Sequence, residues 1–267
     1  MSTTEVPVKG SFRGVDDLPL VARQVRFEQL SFWLNPIGAI LTIGFSVVFI
    51  VIFLSTSGHS TVRYLAHINL GQYYLPAFAA YGIMSACFNI LAISLVNRRE
   101  MGLLKRLRLS PLPTWMLLAA IFINSMIIAV IQIVLMLLVG RFGYSVHGPS
   151  DIPAFVLVMI VGMLCFTALG VGVSTLVPNA DAAGPVVSLV FFILVALSGL
   201  YFPVNPGSGL ATFTAIFPIR HLITASVDSF NGIPGASVWH DVLVMALWGV
   251  GGVIIALRRW EWSPKRG

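Results

Sequence analysis

The sequence predicts an all-α polytopic membrane protein. It has six transmembrane helices, an N-terminal interfacial helix and a short extracellular re-entrant helical segment before the last span. Three observations predict this. Of 267 residues, 57% are hydrophobic and only 10% charged, where a soluble domain carries about 25% charged residues. The apolar residues fall in continuous runs long enough to cross a bilayer, which takes about 20 residues. The basic residues are strongly asymmetric about those runs. Continuous runs exclude a barrel, whose strands alternate over about ten residues, and leave helices as the only way to satisfy a backbone in lipid.

The six runs are Ile37–Leu54, Leu75–Val96, Trp115–Val139, Ile152–Val177, Ala182–Phe202 and Val238–Leu257. Lys9, Arg13, Arg23 and Arg26 precede the first. Arg98, Arg99, Lys105, Arg106 and Arg108 follow the second, and Arg258, Arg259, Lys265 and Arg266 follow the sixth. Only Arg63, Arg141 and Arg220 fall in the alternate gaps, which also hold His59, His67, His147 and His221, with His240 at the outer end of the sixth run. The excess of Lys and Arg in short loops marks the cytoplasmic face, so both termini are expected in the cytoplasm of a plasma-membrane protein. A net charge of +6 would suit nucleic acid. Its confinement to short loops and tails argues for membrane topology instead.

Residues 1–16 are polar, hold no apolar stretch and are expected to be a flexible cytoplasmic tail without a cleavable signal peptide. Residues 17–34 read as an amphipathic helix. Asp17 is a plausible N-cap, Pro19 sits in the first turn, and Leu18, Val21, Ala22 and Val25 form an apolar stripe. Arg23 and Arg26 lie off it, and Phe32 and Trp33 anchor the end in the headgroup layer. Residues 35–257 form one six-helix membrane domain, and 258–267 a basic cytoplasmic tail. Between Pro203 and Ser237 the apolar part is too short to cross and is interrupted by Pro218, so a re-entrant or interfacial helical pair is expected.

"NRREMGLLKRLRLSPLP", Asn97–Pro113, holds five of the sixteen basic residues. Asn97 with Glu100 three residues later resembles a capping box, Leu103, Leu104 and Leu107 share a helical face, and Ser110-Pro111 stops the element. A short cytoplasmic helix follows, basic on one side and apolar on another. Charges that merely set topology and hold anionic lipid would explain the arginines, but not the cap, the leucine face or the stop. A docking helix explains all four.

This segment resembles the cytoplasmic segment of type-2 ABC transporter permeases, the membrane-spanning subunits of bacterial exporters, with the drug-resistance-type branch nearest. "LSGLYFPV" (Leu197–Val204) is similar to that family's end of the fifth span, and "FPIRHLITASVDSF" (Phe217–Phe230) to its extracellular helices. Leu103 stands where the family often has Thr. The resemblance implies a bacterial permease paired with a second copy or a related permease, set on two ABC ATP-binding subunits that carry ATP and Mg. Asn97, Arg98, Arg99, Glu100, Met101, Gly102, Leu103, Leu104, Lys105, Arg106, Leu107 and Arg108 would be the ATPase-coupling helix. Tyr201, Phe202, Phe217 and His221 would lie at a candidate extracellular gate.

No chemistry of the chain's own is expected. A P-loop needs Gly-Lys-Ser/Thr, and the lysines Lys9, Lys105 and Lys265 are followed by Gly, Arg and Arg. Catalytic residues, bound cofactors and metal ligands are therefore expected to be none on this chain. Ion-coupled carriers bury acids or histidines in their spans, whereas the ten acidic residues here fall in loops, tails or span ends, with Asp181 and Asp241 the closest. A hydrolase would need Ser and His at one depth; Ser125 and Ser188 are embedded but the histidines are not. Cys87 and Cys165 read as small core residues, and His59 with His67 as a weak metal pair. Asn89, Asn124, Gln132, Ser188 and Ser198 form a candidate substrate path, suited to an amphiphilic or hydrophobic cargo such as a drug or lipid. Their alternative role is hydrogen bonding between helices. An ATP-independent channel or secondary carrier is the alternative function, with an intramembrane enzyme behind it.

Overall fold

The computed structural model describes residues 18–57, 68–102, 114–201, 209–233 and 237–259. All regular elements among them are helical: α1 (Leu18–Trp33), α2 (Pro36–Ser57), α3 (Leu70–Glu100), α4 (Thr114–Leu138, closing in a π turn Val139–Gly143), α5 (Ile152–Leu176), α6 (Ala180–Leu197), α7 (Gly209–Thr214), α8 (Pro218–Asn231) and α9 (Val238–Arg259). Six of these, α2 to α6 and α9, are long and apolar enough to span a membrane. Between the fifth and sixth spans lie two short helices, α7 and α8, and Pro218 starts α8 rather than breaking it. Proline at a first helical position loses no hydrogen bond.

One end of the bundle carries Arg23, Arg26, Arg98, Arg99, Arg258 and Arg259 and is called the basic end. The other carries His147, His221 and His240 and is called the histidine end. α3 is the centre: 78% of its most apolar stretch is buried, against 22% for each of α2, α6 and α9. Those three instead expose large apolar side chains such as Ile40, Val48, Leu189, Phe192, Leu243 and Leu247, as a surface facing lipid or another apolar partner must.

Close backbone packing holds the bundle. A π turn at Ser85–Ile90 interrupts α3 and presses on α5 at Gly170, where a Cβ would lie 2.9 Å from the Cys87 carbonyl and 3.1 Å from the Phe88 Cα. α5 and α9 meet through Cys165, Ala168 and Gly172 against Gly249 and Gly252. Small residues allow this approach, and dispersion between the touching backbones replaces the hydrophobic drive that lipid removes.

Several boundaries differ from the sequence reading. α3 begins at Leu70, five residues before the apolar run, and Asn231 donates to the Gln72 carbonyl at 3.2 Å, which Pro76 four residues on has no N–H to serve. α6 begins at Ala180 with Asn179 as its N-cap, accepting from Ala182 N at 2.9 Å. It ends at Leu197, short of Phe202, and Ser198 Oγ donates to the Val195 carbonyl. α9 runs on through Arg258 and Arg259, which the sequence reading put in a tail. Residues 1–16, the proposed N-cap Asp17, His59, Arg63, His67, Leu103 to Pro113, Phe202 and residues 260–267 lie outside the described residues.

The amphipathic helix also packs differently. The stripe of Leu18, Val21, Ala22 and Val25 is split, Leu18 and Ala22 being exposed and Val21 and Val25 half-buried. The inward face is Val21, Gln24, Val25, Glu28, Gln29 and Phe32, with Glu28 buried. It lies along α4, where Gln29 donates to the Asn124 carbonyl at 3.4 Å. A polar partner for Glu28 shifts the buried face away from the purely apolar one.

Candidate functional site

At the basic end, two adjacent arginines leave the centre of the bundle in different directions. Arg98 reaches α1 and grips Glu28 with both arms, Nη1 to Oε1 at 2.9 Å and Nη2 to Oε2 at 2.6 Å, while its Nε donates to Ser94 Oγ at 3.1 Å. The Glu28 side chain is 3% exposed. A carboxylate this deep needs such a partner, and the planar guanidinium fork supplies two parallel bonds.

Arg99 turns the other way and is buried. It donates to the carbonyls of Ser174 at 3.2 Å, Val177 at 2.7 Å and Pro178 at 3.3 Å, and its Nε to Glu100 at 2.9 Å. The last four carbonyls of a helix have no intrahelical donor, and the C-terminus carries partial negative charge. Arg99 thus caps α5 from α3. The two arginines and Glu28 tie α1, α3 and α5 into one junction.

This corrects two expectations for Asn97–Glu100. Asn97 does not start a new helix; it lies inside α3, and its carbonyl accepts from Met101 N at 2.9 Å. The central span simply continues to Glu100, since nothing in "LVNRRE" breaks a helix. Nor does Arg99 project toward a partner, because the free end of α5 is its partner. The break comes at Gly102, whose φ of 68° is left-handed and whose N–H bonds the Arg99 carbonyl at 3.0 Å. Glycine ends helices this way at little steric cost. Leu103, Leu104, Lys105, Arg106, Leu107 and Arg108 lie outside the described residues.

The candidate path residues do not converge. Gln132 is buried on α4 and donates to the Thr42 carbonyl at 3.1 Å, with its oxygen against Gly82 and unpaired. Asn89 in the π turn and Asn124 on α4 are half-buried, each with an unpartnered side-chain oxygen. Ser188 is half-buried on α6. Ser198 is buried and serves its own helix end, donating to Val195 O at 2.6 Å and accepting from Leu200 N at 3.0 Å. Among the described residues no hydrogen bond joins any two of them. An apolar groove of about 560 Å³ lies elsewhere, between α4, α5 and α9, lined by Leu118, Phe122, Leu164, Thr167, Val171 and Val253. Sequence reasoning missed it because its walls come from three separate spans.

At the histidine end, Tyr201 lies against Phe49 and Phe53 of α2, and its carbonyl accepts from Tyr74 at 3.4 Å. Phe217 precedes α8 and stacks edge-on with Phe213 at 5.8 Å. The remaining gate residue, His221, lies on α8. It is buried, with Nδ1 2.5 Å from Asp241 Oδ1 and Nε2 2.7 Å from the Ala215 carbonyl. Burial works against a charged ring, but bonds to Asp241 and Ala215 outweigh it and hold His221 above the usual histidine range. α8 itself bridges the bundle: Ser150 and Asp151 donate to its Phe230 and Ser229 carbonyls at 2.8 and 3.2 Å, and Asn231 reaches α3.

A family model described as ABC-2 family transporter protein matches residues 59–258. The chain is 26% identical to "Probable multidrug ABC transporter permease YbhR" of Escherichia coli (strain K12) over 192 residues. That match takes in 70% of this chain and 52% of the relative, so the chain spans about half the length of that curated protein. It is 27% identical over 177 residues to "Putative transport permease YvfS" of Bacillus subtilis (strain 168), covering 65% of this chain and 70% of the relative. With six span-forming helices in the region matched and before it, the chain belongs to the ABC-2 transporter family as a multi-pass membrane permease.

Proposed function

We propose that this chain is the permease subunit of an ATP-driven exporter and that residues 97–108 receive the push of a separate ATP-binding subunit. The observation that carries this reading is the Glu28–Arg98–Arg99 junction. It stands where the basic segment leaves the central span and joins that span to α1 and α5. Force on the segment would move three helices together rather than fray one. ATP and Mg belong to the partner, because no lysine of this chain stands in a P-loop. Two ATP-binding subunits and a second permease, identical or related, complete the machine. The basic end faces the cytoplasm by the positive-inside rule. The apolar groove, the scarcity of embedded charge and the multidrug permease named among the relatives support an amphiphilic or hydrophobic cargo, drug or lipid-like.

The test co-expresses the chain with a P-loop ATPase of the ABC type and measures co-purification and efflux in vesicles. Glu28→Arg or Arg98→Glu alone should lower efflux at least about tenfold, because breaking a buried pair leaves an uncompensated charge. The double swap should recover part of it while the ATPase stays bound throughout. Uphill transport by the solitary chain, or full efflux from both single reversals, would overturn the coupling reading. The first outcome would favour an ATP-independent channel or carrier.

A further inference from the structure

Three donor atoms converge at the histidine end, on the surface where α8 meets the first turn of α9. They come from His221, His240 and Asp241, one ligand atom each, all within 4.8 Å of one another. The Ala215 carbonyl can only accept, so the nitrogen 2.7 Å from it, His221 Nε2, carries a hydrogen. In the neutral ring this leaves Nδ1 with a lone pair, and that lone pair faces a carboxylate oxygen at 2.5 Å. Two lone pairs cannot share that distance without a cation between them. A proton meets that need within the pair, and His240 brings a third ligand atom toward the same oxygen. His240 Nδ1 stands 3.8 Å from the same Asp241 oxygen, and its ring lies 5.5 Å from that of His221. Its side chain is 72% exposed, so the fourth side opens to water.

We propose that His221, His240 and Asp241 bind a divalent transition metal of the zinc type. Two imidazoles and one carboxylate suit zinc, copper or nickel rather than calcium or magnesium, which require mostly oxygen ligands. The carbonyl behind His221 is the outer-shell acceptor that fixes the tautomer of metal-bound histidines. Metal bonds of about 2.0–2.1 Å in a tetrahedron set the ligand atoms about 3.3 Å apart. Relative to that spacing, the His221–Asp241 pair opens slightly and exposed His240 swings inward. The ion displaces the shared proton and takes water as its fourth ligand. Its effect is mechanical, because it cross-links α8 to the start of the last span, beside the His221–Asp241 contact and the Trp248 bond to the Ile216 carbonyl at 2.9 Å.

The experiment uses the full chain in lipid nanodiscs, with any affinity tag removed. Zinc binding is measured by calorimetry and cobalt binding by visible absorption. The expected result is one zinc per chain and the visible bands of a four-coordinate cobalt. His240→Ala, which leaves the buried His221–Asp241 pair intact, should weaken zinc at least about tenfold. A chain with His59, His67 and His147 replaced by Asn should bind as the wild type does. Equal zinc affinity in His240→Ala, loss of binding in the triple variant, or no stoichiometric binding by the wild type would overturn the proposal. Efflux does not enter these readouts, so they stand apart from the transport reading.

Discussion

Arg99 shows how much one side chain can hold. Its guanidinium is the only donor that reaches the Val177 and Pro178 carbonyls among the described hydrogen bonds. Arg99→Met keeps the length but strands those acceptors, at about 1–3 kcal/mol for each buried group left unsatisfied. The thermal aggregation midpoint of the purified variant should fall by several degrees. Lys should rescue little, since one ammonium cannot copy the fork. Asp228 on α8 behaves oppositely, because burial pushes its carboxyl up to about 6, with Asp241 adding to the rise and Arg220 opposing it. Asp151 lines the same small cavity. Below about pH 4 the folded and unfolded chains both hold the proton. Between about 4 and 6 the folded chain holds it more tightly, so this group's contribution falls as pH rises through that window and stays low above it. Asp228→Asn should therefore gain in thermal midpoint over the wild type as pH rises from 4 to 6, with the difference levelling beyond.

Among the elements, α5 and α9 form the tightest pair, and their glycines separate cleanly by environment. A Cβ on Gly252 would lie 2.7–2.8 Å from backbone atoms of Ala168 and Leu169, whereas one on Gly251 meets nothing within 4 Å. Gly252→Ala must therefore push the helices apart, costing about 1–3 kcal/mol as overpacking does. Gly251→Ala should be neutral or slightly stabilising through helix propensity. Thermal midpoints of the two variants check this directly, and equal values would contradict the packing described. Helix existence was legible in the sequence because runs of twenty apolar residues have one solution in lipid. Helix ends were less so. Asn97 and Glu100 have the spacing of a capping box, yet the helix passes through them, since propensity alone cannot tell a cap from an interior turn. The signal that was present is Gly102, the residue that actually ends the helix. Glu28 was legible too, in hindsight of its spacing: Val21, Val25, Glu28 and Phe32 share a face, and an acid on that face requires a partner.

At the scale of the whole molecule, orientation is the quantity that all functional readings share. Both native cysteines, Cys87 and Cys165, are buried, so single cysteines introduced at exposed sites report cleanly. In intact cells a membrane-impermeant maleimide should label His147→Cys and should label Arg259→Cys only after permeabilisation. The reverse pattern would invert the molecule and remove the docking role of the basic segment.

Span number, the two-sided distribution of charge and the lack of a P-loop motif among these residues are legible segment by segment. These are properties of local composition, which lipid reads one segment at a time. What the polar residues do depends on how the spans pack together. Arg98 and Arg99 are neighbours in the chain yet serve different helices, Gln132 and Ser198 bond within the bundle, and His221 meets Asp241 twenty residues away. The physical reason is that a buried polar group must find a partner wherever the packing supplies one, and packing between spans is set by small-residue contacts that no single segment contains.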